Sequence, residues 1–168
     1  DLHRKEHSFP TRRSSDLTYK SIVSEYPASE EAKTSLDAIE TILVDNNKVD
    51  EYSQFVNSLG TSSLKIAPSR EDSLMYKAAQ KVYAREDISQ ATKSFEKYLQ
   101  TFPQGKYSTT ARYYLANCYY TQKDKSKALD LYKTLISDKQ NPNQEESLAR
   151  AAEISYDLGQ YAEAIDYF

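Results

Sequence analysis

The 168-residue sequence has no tryptophan, one methionine, one cysteine, three glycines and five prolines. A single thiol, Cys118, excludes an internal disulfide, a CxxC pair and a zinc-cysteine cluster. Both histidines, His3 and His7, lie at the extreme N-terminus, and none follows from Thr18 onward. Without them there is no Ser-His-Asp triad, no histidine-activated nucleophile and no histidine metal ligand in that stretch. Gly60, Gly105 and Gly159 stand alone, so no glycine-rich loop can cradle a phosphate. No apolar run approaches the ~20 residues of a membrane-spanning helix, and mean hydropathy is -0.78. A formal charge of -3 supplies no basic footprint for nucleic acid or an anionic membrane surface.

What the sequence has in abundance is tyrosine, 15 residues of it, and an internal repeat. An offset of 37 pairs Tyr76 with Tyr113, Ala79 with Ala116, Tyr83 with Tyr120, Asp87 with Asp124, Ala91 with Ala128 and Phe95 with Tyr132. A further 36 carries Ala116 to Ala152, Tyr120 to Tyr156, Ala128 to Ala164 and Tyr132 to Phe168. A unit of this length cannot bury its apolar face alone, so successive copies must stack. Within the first unit Leu74, Ala78, Ala79 and Val82 make one helical stripe, with Ser69 and Asp72 expected to form a capping box. A hairpin turn at Arg85 to Asp87 leads to a second helix, capped by Asp87 and Gln90, with Ala91, Phe95, Tyr98 and Leu99 inward. Pro103 and Gly105 end it. The second unit has a helix near Thr109 to Gln122, a turn at Lys123 and Asp124, and a helix carrying Ala128, Tyr132, Leu135 and Ile136. Asn143 and Glu146 offer a capping box for the third. The expectation is an all-α, right-handed superhelical solenoid of antiparallel helix hairpins.

These residues carry a family resemblance. Leu158-Gly159-Gln160-Tyr161, followed by Ala164 and Phe168, resembles the turn and second helix of a tetratricopeptide (TPR) repeat, with Ala79, Ala116 and Ala152 at its close-packing positions. Glu86 and Lys123 depart from it, since the family favours glycine there. Phe102 to Tyr107 with Ala111, and Asn117-Cys118-Tyr119-Tyr120, are similar to bacterial cell-envelope TPR proteins, including outer-membrane assembly lipoproteins and the coordinator of division-linked wall synthesis. Val49-Asp50-Glu51-Tyr52 with Phe55 and Val56, placed before the array, resembles large TPR proteins of Bacteroidota described as components of a TonB-linked system. The resemblance implies a periplasmic or outer-membrane setting, with a cytoplasmic one as the alternative.

Four segments follow. Residues 1–17 contain HSFPTRRSSDL, which matches one translated frame of a sequencing adapter, so they read as an assembly scar, the alternative being a disordered tail. Residues 18–59 are a degenerate copy: 18–26 end a preceding helix, Ala32, Leu36, Ile39 and Leu43 mark the next, Asp45 to Asn47 turn, and Val49 to Leu59 form a helix without the packing alanine. Residues 60–71 are a connector, and 72–168 are the array, two full repeats and a third that stops within a helix. Both termini are expected to be truncated.

Catalytic candidates are weak. Glu30-Glu31 and Glu145-Glu146 fall at expected helix starts, where carboxylates oppose the macrodipole, and Cys118 sits on a packing stripe. The carboxylates lack calcium-loop spacing. No cofactor or metal is expected. Lys123, Lys125 and Lys127 read as a solvated turn. In the family register the first helix of each hairpin lines the groove, which places Tyr76, Gln80 and Tyr83, then Tyr113, Asn117 and Tyr120, then Ala149, Glu153 and Tyr156 toward a ligand. Tyr83, Tyr120 and Tyr156 would form a ladder, with Gln80, Asn117 and Glu153 offering hydrogen bonds to a peptide. Tyrosine suits recognition because it brings amphipathic area at low entropy cost. The competing role for Tyr76, Tyr113 and Tyr119 is to fill space between helices. The expected function is a non-catalytic scaffold for a protein or peptide partner, in envelope assembly or a TonB-linked system. The alternatives are a substrate-positioning region of a larger wall enzyme and a cytosolic adaptor.

Overall fold

The computed structural model describes residues 12–60 and 66–167. The described residues form helices without strands and divide into two compact units, one up to residue 60 and one from residue 66 onward. In the first unit α1 (Arg12–Glu25), α2 (Glu30–Asp45) and α3 (Val49–Ser58) follow one another. Ser29 caps α2, its hydroxyl accepting from the Ala32 amide at 3.0 Å. Val23, Ala32, Ile39, Leu43, Val49, Tyr52 and Val56 are buried, and α2 packs more closely on α1 than on α3. The boundary expected at residue 17 falls inside α1, while His3, His7 and the adapter-like segment up to Thr11 lie outside the described residues.

The second unit is the array: α4 (Pro68–Ala84), α5 (Ile88–Thr101), α6 (Ser108–Thr121), α7 (Lys125–Ser137), α8 (Gln144–Asp157) and α9 (Tyr161–Asp166). Each helix packs on the next. Alanine recurs at 36 or 37 residues because helix axes can close to ~8–10 Å only where the facing side chains are small. Ala79, Ala116 and Ala152 on the first helices, and Ala91, Ala128 and Ala164 on the second, are all buried. Phe95, Tyr98, Tyr132, Leu135 and Ile154 fill the space between. Phe168, the last position of the repeat alignment, lies outside the described residues.

Two helix starts differ from expectation. α4 begins at Pro68 with Ala67 as N-cap, not at Ser69 and Asp72. Proline is preorganised for the first helical position, where its missing N–H costs nothing, and Asp72 is thereby freed for the interior. Asn143 occupies the N-cap of α8 without a side-chain cap bond. That start is held from outside the helix, with the Asn143 amide donating to buried Asn141 at 3.0 Å. Asp87 does cap α5, accepting from the Gln90 amide at 3.1 Å, and Asp124 caps α7 through the Lys127 amide at 3.3 Å.

The hairpin turns share one conformation. Asn47, Glu86, Lys123 and Gly159 have φ of 58, 62, 63 and 76 degrees, the left-handed region that reverses the chain after a helix. A side chain costs roughly 1–2 kcal/mol there, against ~0.5–1 kcal/mol of extra unfolded-state freedom for glycine. Lys123→Gly should therefore raise the stability slightly, by up to ~1 kcal/mol. Gly159→Ala, whose added Cβ would meet no atom within 4 Å, should lower it by about 1 kcal/mol through conformation alone. Opposite signs in parallel denaturation curves are the expected result.

Candidate protein-binding face

The first helices of successive hairpins, α4, α6 and α8, carry the residues expected to meet a ligand, and the structure divides them. Tyr76 and Tyr113 are buried. The Tyr76 ring lies flat on Tyr107, 4.4 Å between centroids and 3 degrees between planes, and burial pushes its hydroxyl up to about 12. Tyr113 donates to Glu146 at 2.5 Å. Tyr119 is likewise buried and donates to Glu96. These rings hold neighbouring helices together, which is the space-filling role weighed for them.

Gln80, Tyr83, Asn117 and Tyr120 are half-buried, and Ala149, Glu153 and Tyr156 are exposed. Tyr83 leans edgewise on Phe95 (6.3 Å) and meets Tyr114 at 5.0 Å. Tyr114 in turn stacks on Phe95 at 5.6 Å. The packing joins α4, α5 and α6 and leaves part of Tyr83 at the surface, over an open hollow it shares with Ala84, Glu86, Ile88 and Thr121.

Tyr120 is held by α8. Its hydroxyl donates to Glu153 at 2.6 Å and accepts from Arg150 at 3.3 Å, while the guanidinium stands 4.7 Å above its ring. Arg150 also pairs with Glu153 at 3.0 Å. The bond to Glu153 raises the Tyr120 hydroxyl above its ordinary value, with partial burial second. Charge-assisted bonds with a cation over an aromatic face fix three side chains in place, so less rotamer entropy remains to be lost when a partner arrives. Arg150 was invisible to the repeat alignment, because its register partner is Tyr114.

Asn117, expected to bind a peptide, instead serves the interior. Its Oδ1 accepts from Tyr132 at 2.5 Å, and its side chain partly offsets the burial that raises the Tyr83 and Tyr113 hydroxyls. Gln80 and Tyr156 are not part of this network, and Tyr156 meets Tyr161 edgewise at 5.3 Å.

The Cys118 thiol is buried, and burial pushes it up to about 11, against a smaller downward effect of its hydrogen bond with Thr92. Because only the thiolate attacks, a shift from 9.0 to about 11 cuts the reactive fraction at neutral pH about a hundredfold. Alkylation of the native chain should run at least that much slower than in denaturant, as followed by mass spectrometry. Glu30 and Glu31 occupy the first turn of α2, and Glu145 and Glu146 that of α8. Lys125 pairs with Asp157 at 2.7 Å and Lys127 with Asp124 at 3.0 Å. Among the described residues no group of three or more potential ligands could hold a metal, and no helix is long and apolar enough to cross a membrane.

Residues 68–150 match the model of a family described as YfiO, outer membrane lipoprotein. Among solved structures, MamA is 16% identical with a TM-score of 0.52, covering 94% of this chain and 84% of its own. A Podosopora anserina protein of nearly identical TPR-like repeats is 15% identical with a TM-score of 0.47, over 93% of this chain and 81% of its own. At 16% identity the likeness to MamA is one of fold. No curated protein matches the sequence significantly. The array is a helical solenoid of the tetratricopeptide type, and the outer-membrane lipoprotein match spans its first two hairpins and half of α8.

Proposed function

We propose that the chain is a non-catalytic scaffold that binds a protein or peptide partner through the face carried by α4, α6 and α8, and that it works in assembly of the bacterial envelope. The observation that carries this reading is the fixed constellation of Tyr120, Arg150 and Glu153 beside the exposed ring of Tyr156. Tyrosine and arginine dominate the energetics of protein interfaces, and here both are positioned in advance on rigid helices. The envelope setting is supported by the outer-membrane lipoprotein family match. A TonB-linked role is the finer form of the proposal and rests on the sequence pattern from Val49 to Val56.

The test is crosslinked capture from a bacterial envelope extract with the whole chain, beside a Tyr83, Tyr120 and Tyr156 triple-alanine variant and a milder Tyr120→Ala, Tyr156→Ala variant. Both are checked for unchanged helicity. Truncating such anchors should weaken a specific complex about a hundredfold or more. A partner held equally by wild type and both variants would place binding elsewhere and overturn this reading.

A further inference from the structure

The second repeat closes a space that the first leaves open. An offset of 37 sets Tyr83 on Tyr120 and Ile88 on Lys125, and one of 36 sets Thr121 on Asp157 and Tyr114 on Arg150. In the second repeat Lys125 of α7 reaches Asp157 of α8 at 2.7 Å, and the Arg150 guanidinium stands over Tyr120 while pairing with Glu153. Two basic side chains thus bridge neighbouring helices, each answered by a carboxylate. At the first repeat's equivalent positions neither cation is present. Ile88 and Thr121 stand where the ion pair does, and Tyr114 meets Tyr83 at 5.0 Å where the arginine meets Tyr120. What remains is an open hollow of about 540 Å³ between Tyr83, Ala84, Glu86, Ile88 and Thr121, all of them within the first two hairpins.

The lining sets what fits. Tyr83, Ala84 and Ile88 offer apolar contact, and Glu86 is the charged member of the set. Its carboxylate takes no hydrogen bond or ion pair among the described residues, unlike Glu153 and Asp157, which hold Arg150 and Lys125. An apolar wall beside an unpaired carboxylate suits a side chain with an alkyl stem and a cationic head. The geometry points to a lysine or arginine of the protein partner, inserted into this hollow with its stem along Tyr83 and Ile88 and its head on Glu86. The partner then supplies to the first repeat the cation that Lys125 and Arg150 supply to the second. The inference rests on the proposed function, since Tyr83 and Thr121 lie on α4 and α6, and it adds the chemistry of the side chain recognised there.

The probes are end-blocked alanine pentapeptides carrying lysine, arginine or norleucine at the centre, titrated into the full chain and followed by NMR shifts at the Glu86 amide and the Tyr83 ring. The lysine and arginine peptides should bind about fivefold more tightly than the norleucine one, the size expected of a single exposed ion pair. Glu86→Gln, which keeps the turn and removes the charge, should erase that difference. Ile88→Lys combined with Thr121→Asp transplants the second repeat's ion pair and should abolish the shifts, with circular dichroism checking that the fold is retained. The Tyr120→Ala variant should bind the basic peptides as wild type does. No envelope partner takes part in this titration, so failure here leaves the capture experiment standing, and failed capture leaves this result standing. Norleucine binding as tight as lysine, shifts centred away from Glu86, or indifference to Glu86→Gln would overturn the inference.

Discussion

Above pH 10 the repeat array is expected to unfold in one steep step, with tyrosinate absorbance and helix circular dichroism changing together. The cause is the number of phenols that the fold keeps protonated. Burial pushes Tyr76 from 10.0 up to about 12. Tyr98 and Tyr119 are raised by burial and by donating to Asp72 and Glu96, and Tyr132 by burial. All four rings are buried. Their folded-state values lie above the unfolded ones, so their stabilisation is complete below about pH 10 and is lost as pH rises toward the folded values. For Tyr76 alone, a shift of two units is worth about 3 kcal/mol. Several such groups together match the whole stability of an ordinary domain, roughly 5–15 kcal/mol. Tyr76→Phe removes one titrating group and should move the transition to higher pH. Gradual tyrosinate release with helicity retained past pH 12 would contradict this account.

Gly105→Ala should destabilise the chain by about 3 kcal/mol. An added Cβ would sit 2.7 Å from the Tyr98 hydroxyl, 2.8 Å from Phe102 Cβ and 3.0 Å from Asp72 Oδ1. Tyr98 cannot step aside, because it is completely buried and its hydroxyl donates to buried Asp72 at 2.5 Å. The Lys106 amide donates to the same carboxylate at 2.8 Å, and the Tyr107 amide donates to the Tyr98 hydroxyl at 3.2 Å. These bonds tie the loop between the first two hairpins back to α4. Overpacking costs roughly 1–3 kcal/mol, and a lost bond to a charged group about 1.5–3 kcal/mol. Tyr98→Phe deletes the hydroxyl, so adding Gly105→Ala to it should cost clearly less than Gly105→Ala in wild type. Urea denaturation measures all three. Full additivity would mean that the glycine serves the backbone alone.

The second repeat solves the same loop differently. Thr109 stands where Asp72 does, Leu135 where Tyr98 does, and Asn141 fills the place of Gly105 at 36 residues. Buried Asn141 donates to the Leu135 carbonyl at 3.1 Å and to Ser147 at 3.3 Å, while Thr109 donates to Asp138 at 2.8 Å. An aligned glycine and asparagine thus perform the same closure by opposite means, one by absence of a side chain and one by its bonds.

Fold class, hairpin order, the turns at Glu86 and Lys123, and the alanine seam were legible in the chain alone, because helix period and repeat offset are local, one-dimensional signals. Gly105 was legible only as a helix stop. Its neighbours Asp72 and Tyr98 are 33 and 7 residues away in sequence, and their convergence exists only once α4 and α5 pack. The tyrosines show the same limit. Periodicity placed Tyr76, Tyr113 and Asn117 on the same register as Tyr83 and Tyr120, yet a helix face several residues wide turns partly inward and partly outward. Which way each ring points depends on the neighbour it meets: Tyr107 closes over Tyr76, Glu146 draws in Tyr113, and Tyr132 donates to Asn117. Sequence by itself determined that this protein stacks helix hairpins, because amphipathic repeats must bury their faces against one another. Only the tertiary structure decided which polar groups were consumed in doing so, because hydrogen-bond partners across helices are set by packing, not by spacing.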